Sequence, residues 1–140
     1  MSVDVRLTDD LATCLELRRV VFIEEQAVPE DLERDDYDAV ALHWLATLDG
    51  RPVGTARAIL KGDMGKIGRV CVLRETRGQG VGAALIRAAV AELAARGLAQ
   101  ARLGSQVHAI PFYETLGFVA EGPVYEDAGI PHRDMVRALG

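Results

Sequence analysis

Cysteine is scarce in this chain: Cys14 and Cys71 are the two among 140 residues, far apart and without a Cys-x-x-Cys pair. That spacing excludes a disulfide framework or a zinc ribbon, and both thiols are expected to be reduced. The three histidines, His43, His108 and His132, share no ligand spacing such as His-x-x-x-His, so no metal is expected. Basic charge is short as well. Sixteen Lys and Arg face 21 Asp and Glu, for a net charge of −5 and a pI of about 5.2, which argues against a nucleic-acid partner because such binding neutralises phosphates with a basic face. No apolar run approaches the roughly 20 residues that cross a bilayer, so no membrane partner is expected either. The start, Met1 to Leu7, alternates like a strand and has neither a basic n-region nor an apolar h-region, which predicts a cytoplasmic protein.

What is present fits a globular fold: 49% hydrophobic and 26% charged residues, with no low-complexity tract or linker. At this length about 70% of the unfolded chain's surface can be buried, and one domain over residues 1–140 is expected. Thr8 is a plausible N-cap for a helix from about residue 9 to about 24, whose apolar positions include Leu11, Cys14, Leu15, Val21 and Phe22. Leu42 to Leu48 and Val53 to Leu60 read as strands joined by Asp49-Gly50, a strong hairpin signal. Lys66 to Leu73 reads as a further strand. Val81, Leu85, Ala88, Ala89 and Leu93 trace a helical stripe that ends at Arg96-Gly97. Ala101 to Val107 reads as a strand, Ile110 to Leu116 as a short helix, and Phe118 to Val124 and His132 to Ala138 as a last strand pair. This order predicts an α/β (α+β layered) domain with a mixed sheet of about six to seven strands flanked by helices.

Much of the acid lies between Glu24 and Asp38. Two readings stay open: a solvated loop, or an electronegative rim that attracts a cationic amine.

Between the third strand and the long helix runs Arg77-Gly78-Gln79-Gly80-Val81-Gly82. Three glycines at alternate positions let successive N–H groups converge on one anion at a helix N-terminus, so a phosphate or diphosphate is the expected ligand. A Walker A loop would end in Gly-Lys-Ser or Gly-Lys-Thr, and this one does not. Gly78-x-Gly80-x-x-Ala83 fits a dinucleotide fingerprint loosely, but Gln100 and Arg102 stand where the ribose-binding acid belongs, which leaves an NADP-binding domain a weak alternative.

Val72-x-x-x-x-Arg77-Gly78-x-Gly80-x-Gly82 resembles the acetyl-CoA loop of the GNAT superfamily of N-acetyltransferases, and Pro111-Phe112-Tyr113-Glu114-x-Leu116-Gly117-Phe118 resembles its downstream motif. Phe22 to Gln26, Asp35 with His43, and Gly129 to His132 are similar to the small bacterial ElaA-like branch. The resemblance implies acetyl-CoA as donor, a primary amine on a small molecule, peptide or lysine as acceptor, and splayed strands at the cofactor site. It admits a homodimer. Val70, Cys71 and Val72 would offer main-chain groups to the pantetheine arm and thioester, with Phe112 beside them. Arg77 to Gly82 would hold the diphosphate. Tyr113 would protonate the departing thiolate. Many family members carry a glutamate base where this chain has Gly68-Arg69-Val70, so the base stays open among Glu24, His43, His108 and His132, with His132 favoured because the ElaA-like similarity covers it. Glu24, His43 and His108 are then candidates to meet the acceptor. Cys71 reads as a small buried hydrophobe, and direct transfer without an acyl-enzyme is expected. A CoA-binding sensor without catalysis is the rival from another class.

Overall fold

The computed structural model describes residues 3–33 and 35–140. Met1 and Ser2, part of the alternating start, and Arg34, inside the acidic stretch, lie outside that range. The described part of the start is a strand, β1 (Val3–Leu7). The first helix, α1, spans Leu11–Arg18 and is capped by Asp10, whose carboxylate accepts from the Thr13 N–H at 3.2 Å and the Thr13 hydroxyl at 2.6 Å. Thr8 stands two residues too early to cap. It supports the cap instead, its hydroxyl accepting from the Asp10 N–H.

The expected helix to residue 24 changes character at Arg19. Arg19–Glu25 is a π-helical stretch that closes with the Gln26 N–H donating to Val21 O. A short α2 (Glu30–Glu33) and a 3-10 turn (Asp36–Ala39) follow. β2 (Leu42–Leu48) and β3 (Arg51–Lys61) form the expected hairpin, with both Asp49 and Gly50 left-handed as a primed turn requires. Then come β4 (Met64–Val72), α3 (Val81–Ala95), β5 (Gln100–Gln106), α4 (Ile110–Glu114), β6 (Val119–Asp127) and β7 (Ile130–Ala138).

The seven strands form one sheet in the order β1-β2-β3-β4-β5-β7-β6, with β4 and β5 its parallel pair. Both are joined through α3, which lies across one face. Its buried stripe, Val81, Leu85, Ile86, Ala89, Val90 and Leu93, packs on Trp44, Ala56, Ala58, Ile67 and Leu103. Each large aliphatic buried there contributes about 2 kcal/mol. On the opposite face α1 and the π stretch cover part of the sheet through Leu17, Val21, Cys71 and Leu73.

Two irregularities shape the middle of the sheet. Arg69 and Val70 together oppose Ala56, a β-bulge in which Arg69 takes a left-handed φ of 51°. The strand bends there, and the parallel ladder between β4 and β5 runs from Met64–Gln100 to Ile67–Leu103 and stops. Beyond that point β5 stays paired with β7 as far as Gln106–His132, while β4 stays with β3. The two strands part like a wedge.

Candidate active site

The wedge opens into a cleft of about 1120 Å³. At its upper end is the glycine loop. Arg74–Thr76 forms a tight turn, then Gly78 and Gly80 both take φ 82°, a region costly for any residue with a Cβ. Gly80 precedes α3, and no side chain caps that end. The first-turn N–H groups have no intrahelical partner by geometry, and the helix dipole adds positive potential. Gly78, Gly80, Val81 and Gly82 line the cleft, whereas Gln79 does not. Val81 is also core, 1% exposed.

Arg77 is placed differently from a free phosphate ligand. Its guanidinium is bidentate to Glu25, at 2.6 and 2.8 Å, and also donates to Val72 O at 2.9 and 3.1 Å. That clip joins the loop to the π stretch. Hydrogen bonding from Arg77 holds the Glu25 carboxyl below its ordinary range.

Val70, Cys71 and Val72 lie on the free edge of β4 in the cleft wall. The Cys71 side chain turns into the core beside Leu17 and Val21, and burial pushes its thiol up to about 12. A thiol held neutral in this way is not a nucleophile at neutral pH. Phe112 and Tyr113, on α4, reach the cleft from the other side. A Cβ on Gly82 would stand 3.5 Å from the Phe112 ring, so the two motifs meet. Tyr113 packs edge-on between Phe112 and Phe118, at 5.0 and 6.1 Å, and desolvation raises its phenol to about 12.

The histidines separate by position. His43 is buried on β2, its Nε2 on Asp38 O at 2.9 Å and its Nδ1 without a partner, and it does not line the cleft. His108 lines it, with Nε2 on Gln106 Oε1 at 2.7 Å, while Gln106 donates to Gln26 and bridges β5 to the π stretch. His132 also lines it. Its Nδ1 lies 2.7 Å from Ile130 O, and a carbonyl can only accept, so Nδ1 carries the proton and the neutral ring keeps its lone pair on Nε2. The ring stacks on Tyr125 at 6.0 Å, and the Tyr125 hydroxyl donates to Asp134 at 2.7 Å. A Cβ at Gly104 would stand 2.5 Å from that hydroxyl, so a larger residue there would displace the tyrosine.

Glu24 also stays out of the cleft, paired with Arg19 at the surface, while Glu25 faces in. The i→i+5 turn displaces the inward face by one residue relative to a 3.6-residue period.

The acidic stretch divides: Glu24, Glu30, Asp31 and Asp36 are exposed, as in the solvated-loop reading, whereas Glu33, Asp35 and Asp38 turn inward onto arginines and form no open electronegative rim. Six side chains close a ring of alternating charge: Arg18, Asp38, Arg57, Asp35, Arg69 and Glu33. Arg18, Glu33 and Arg57 are each at most 5% exposed. Hydrogen bonds from Arg57 bring the Asp35 carboxyl from 3.8 down to about 2. For Asp38, burial acts upward, but Arg18 and Arg57 outweigh it and the carboxyl is lowered. Arg69 further donates to Glu33 O at 3.0 and 3.2 Å, which holds the left-handed residue of the bulge.

A cleft with an uncapped helix N-terminus at one end of two parting strands is the arrangement the two sequence motifs imply. Residues 11–139 match the family described as "Acetyltransferase (GNAT) domain". This chain belongs to the GNAT acetyltransferase family. It is 35% identical over 131 residues to the uncharacterized N-acetyltransferase YjcF of Bacillus subtilis (strain 168), covering 92% of this chain and 93% of that one. Among solved structures it resembles an acyl-CoA N-acyltransferase from Pseudomonas aeruginosa (TM-score 0.88, 33% identity, 98% and 100% covered). It also resembles Escherichia coli ElaA (TM-score 0.86, 29% identity, 97% and 99% covered), the branch suggested by the sequence. The sequence reading missed Glu25, Gln26, Gln106 and Tyr125 in this GNAT cleft. Of these, Tyr125 had a signal available, since a tyrosine facing a histidine across a Gly-turned hairpin is a cross-strand pair.

Proposed function

We propose that this GNAT chain moves the acetyl group of acetyl-CoA directly onto a primary amine. The observation that supports it most is the parting of β4 and β5 after Ile67–Leu103, directly below an uncapped helix N-terminus reached by left-handed Gly78 and Gly80. The residues present fit coenzyme A. Loop N–H groups suit its diphosphate, and the free edge of β4 suits the amides of its pantetheine arm, the thioester being the acyl source. His132 Nε2 takes a proton from the acceptor ammonium, and the freed nitrogen attacks the thioester carbon. Main-chain N–H groups on the β4 edge stabilise the oxyanion, a contribution of about 3 kcal/mol per donor. As the C–S bond breaks, the Tyr113 hydroxyl protonates the sulfur, the remaining extra proton of the attacking nitrogen restores the tyrosine, and the proton on His132 leaves to solvent. A phenol near 12 is fully protonated at neutral pH, and the same dry surroundings make the thiolate more basic, so the transfer stays matched.

The test has two arms. Calorimetry should show acetyl-CoA binding, and thiol release over a panel of amines should exceed hydrolysis. Binding without release would identify a sensor, and no binding at millimolar concentration would remove the reading altogether. His132→Ala should cut turnover about a hundredfold with CoA affinity retained, and added imidazole should restore part of it; undiminished turnover would move the base elsewhere.

A further inference from the structure

The half of the cleft away from the glycine loop is formed by the sheet face that α1 leaves uncovered. Register places Arg57, Ile59 and Lys61 of β3 on that face with Lys66 and Gly68 of β4, because Ile59 opposes Lys66 and Arg57 opposes Gly68. A Cβ at Gly68 would meet nothing within 4 Å, so the floor there is bare backbone with room above it. The charges around this floor divide sharply. Glu33, Asp35, Arg57 and Arg69 cancel one another within the ring. Lys66 makes no ion pair among the described residues, and the Lys61 ammonium stands 5.6 Å over the Tyr37 ring, which leaves its charge uncancelled. Across the cleft, on the β6–β7 hairpin that carries His132, stands Asp127. A chain of net charge −5 thus keeps, among the described residues, two lysines without a carboxylate partner on one wall of its acceptor half, and a carboxylate on the hairpin of the base on the other.

We propose that the acceptor is an amine that also carries an anionic group, a carboxylate or a phosphate, with the ammonium drawn toward His132 and Asp127 and the anion held by Lys61 and Lys66. This rests on the acetyl-transfer reading and deepens it. The lysines do not serve the cofactor: Lys66 precedes the free edge at Val70 by four residues, roughly 13 Å of strand, on the side away from α3. Allowing for the reach of the lysine side chain, amine and anion should be roughly 10 Å apart, well beyond the span of an α-amino acid.

The experiment compares acetyl-CoA-dependent thiol release with ω-aminooctanoate, its neutral primary amide, and an ω-aminoalkyl phosphate of equal length. The anionic acceptors should show a KM about tenfold below that of the amide, eroded by salt because the lysines are partly exposed. Comparing the carboxylate and phosphate arms identifies the anion. The Lys61→Gln/Lys66→Gln double variant should bring the ratio of carboxylate to amide KM to about one, and the corresponding Glu variant should invert it. Equal KM values for carboxylate and amide in the native protein would overturn the proposal, as would a preference that survives the double variant. Transfer to amines regardless of charge defeats this inference alone, whereas no transfer to any amine defeats the acetyl-transfer reading beneath it as well.

Discussion

Tyr113 and His132 reach the same cleft from α4 and β7, and between histidines with similar partners it is position that decides. His43 and His132 each hold one ring nitrogen on a carbonyl, but only the second lines the cleft. The sequence contains three histidines and no sign of which nitrogen is occupied, so the base could be narrowed by resemblance and not by spacing. For the acid, Tyr113→Phe should lower kcat about a hundredfold while calorimetry finds the CoA affinity within about twofold, since the ring packing on Phe112 and Phe118 survives. Unchanged kcat would show that another group protonates the thiolate.

The segment around Glu25 is where periodicity reasoning stops working. Elements with a strong repeat, such as α3 with its stripe and Gly97 stop, or the Asp49-Gly50 hairpin, were legible because one local rule decides each. The π stretch was not, because no local repeat in those seven residues marks it and the contact that fixes Glu25 comes from Arg77, 52 positions away. The clip between Glu25 and Arg77 gives this element a measurable role. If Arg77 shapes the glycine loop through Glu25, and that loop holds CoA as proposed, then Glu25→Ala and Arg77→Ala should weaken CoA binding by similar factors, and the double variant should lose little more. Additive losses in calorimetric Kd would mean instead that Arg77 touches the phosphates directly.

At the scale of the whole molecule, the seven-strand sheet and the loop before α3 were readable because glycine placement and element order constrain them. The charge ring was not, since its members come from α1, the 33–38 segment, β3 and β4 and are scattered along the sequence. Arg57 joins two of its carboxylates. Arg57→Met should therefore destabilise the fold by about 3 kcal/mol in denaturant titrations, because Asp35 and Asp38 would lose a charge partner in a buried setting. Acid sensitivity should change too. Folding lowers the Asp35 carboxyl from 3.8 to about 2, so the stability it contributes is present above about pH 4 and disappears as the pH falls through 2. In the Arg57 variant that part of the acid titration should flatten, and an unaltered slope between pH 4 and 2 would place the effect elsewhere. The ring also limits how new specificities can arise in this scaffold. With three arginines from different stretches of chain sharing the carboxylates of Glu33, Asp35 and Asp38, replacing any one of these acids takes a partner from two arginines at once, whereas Lys61, Lys66 and Asp127 stand outside the ring and can be exchanged without disturbing it.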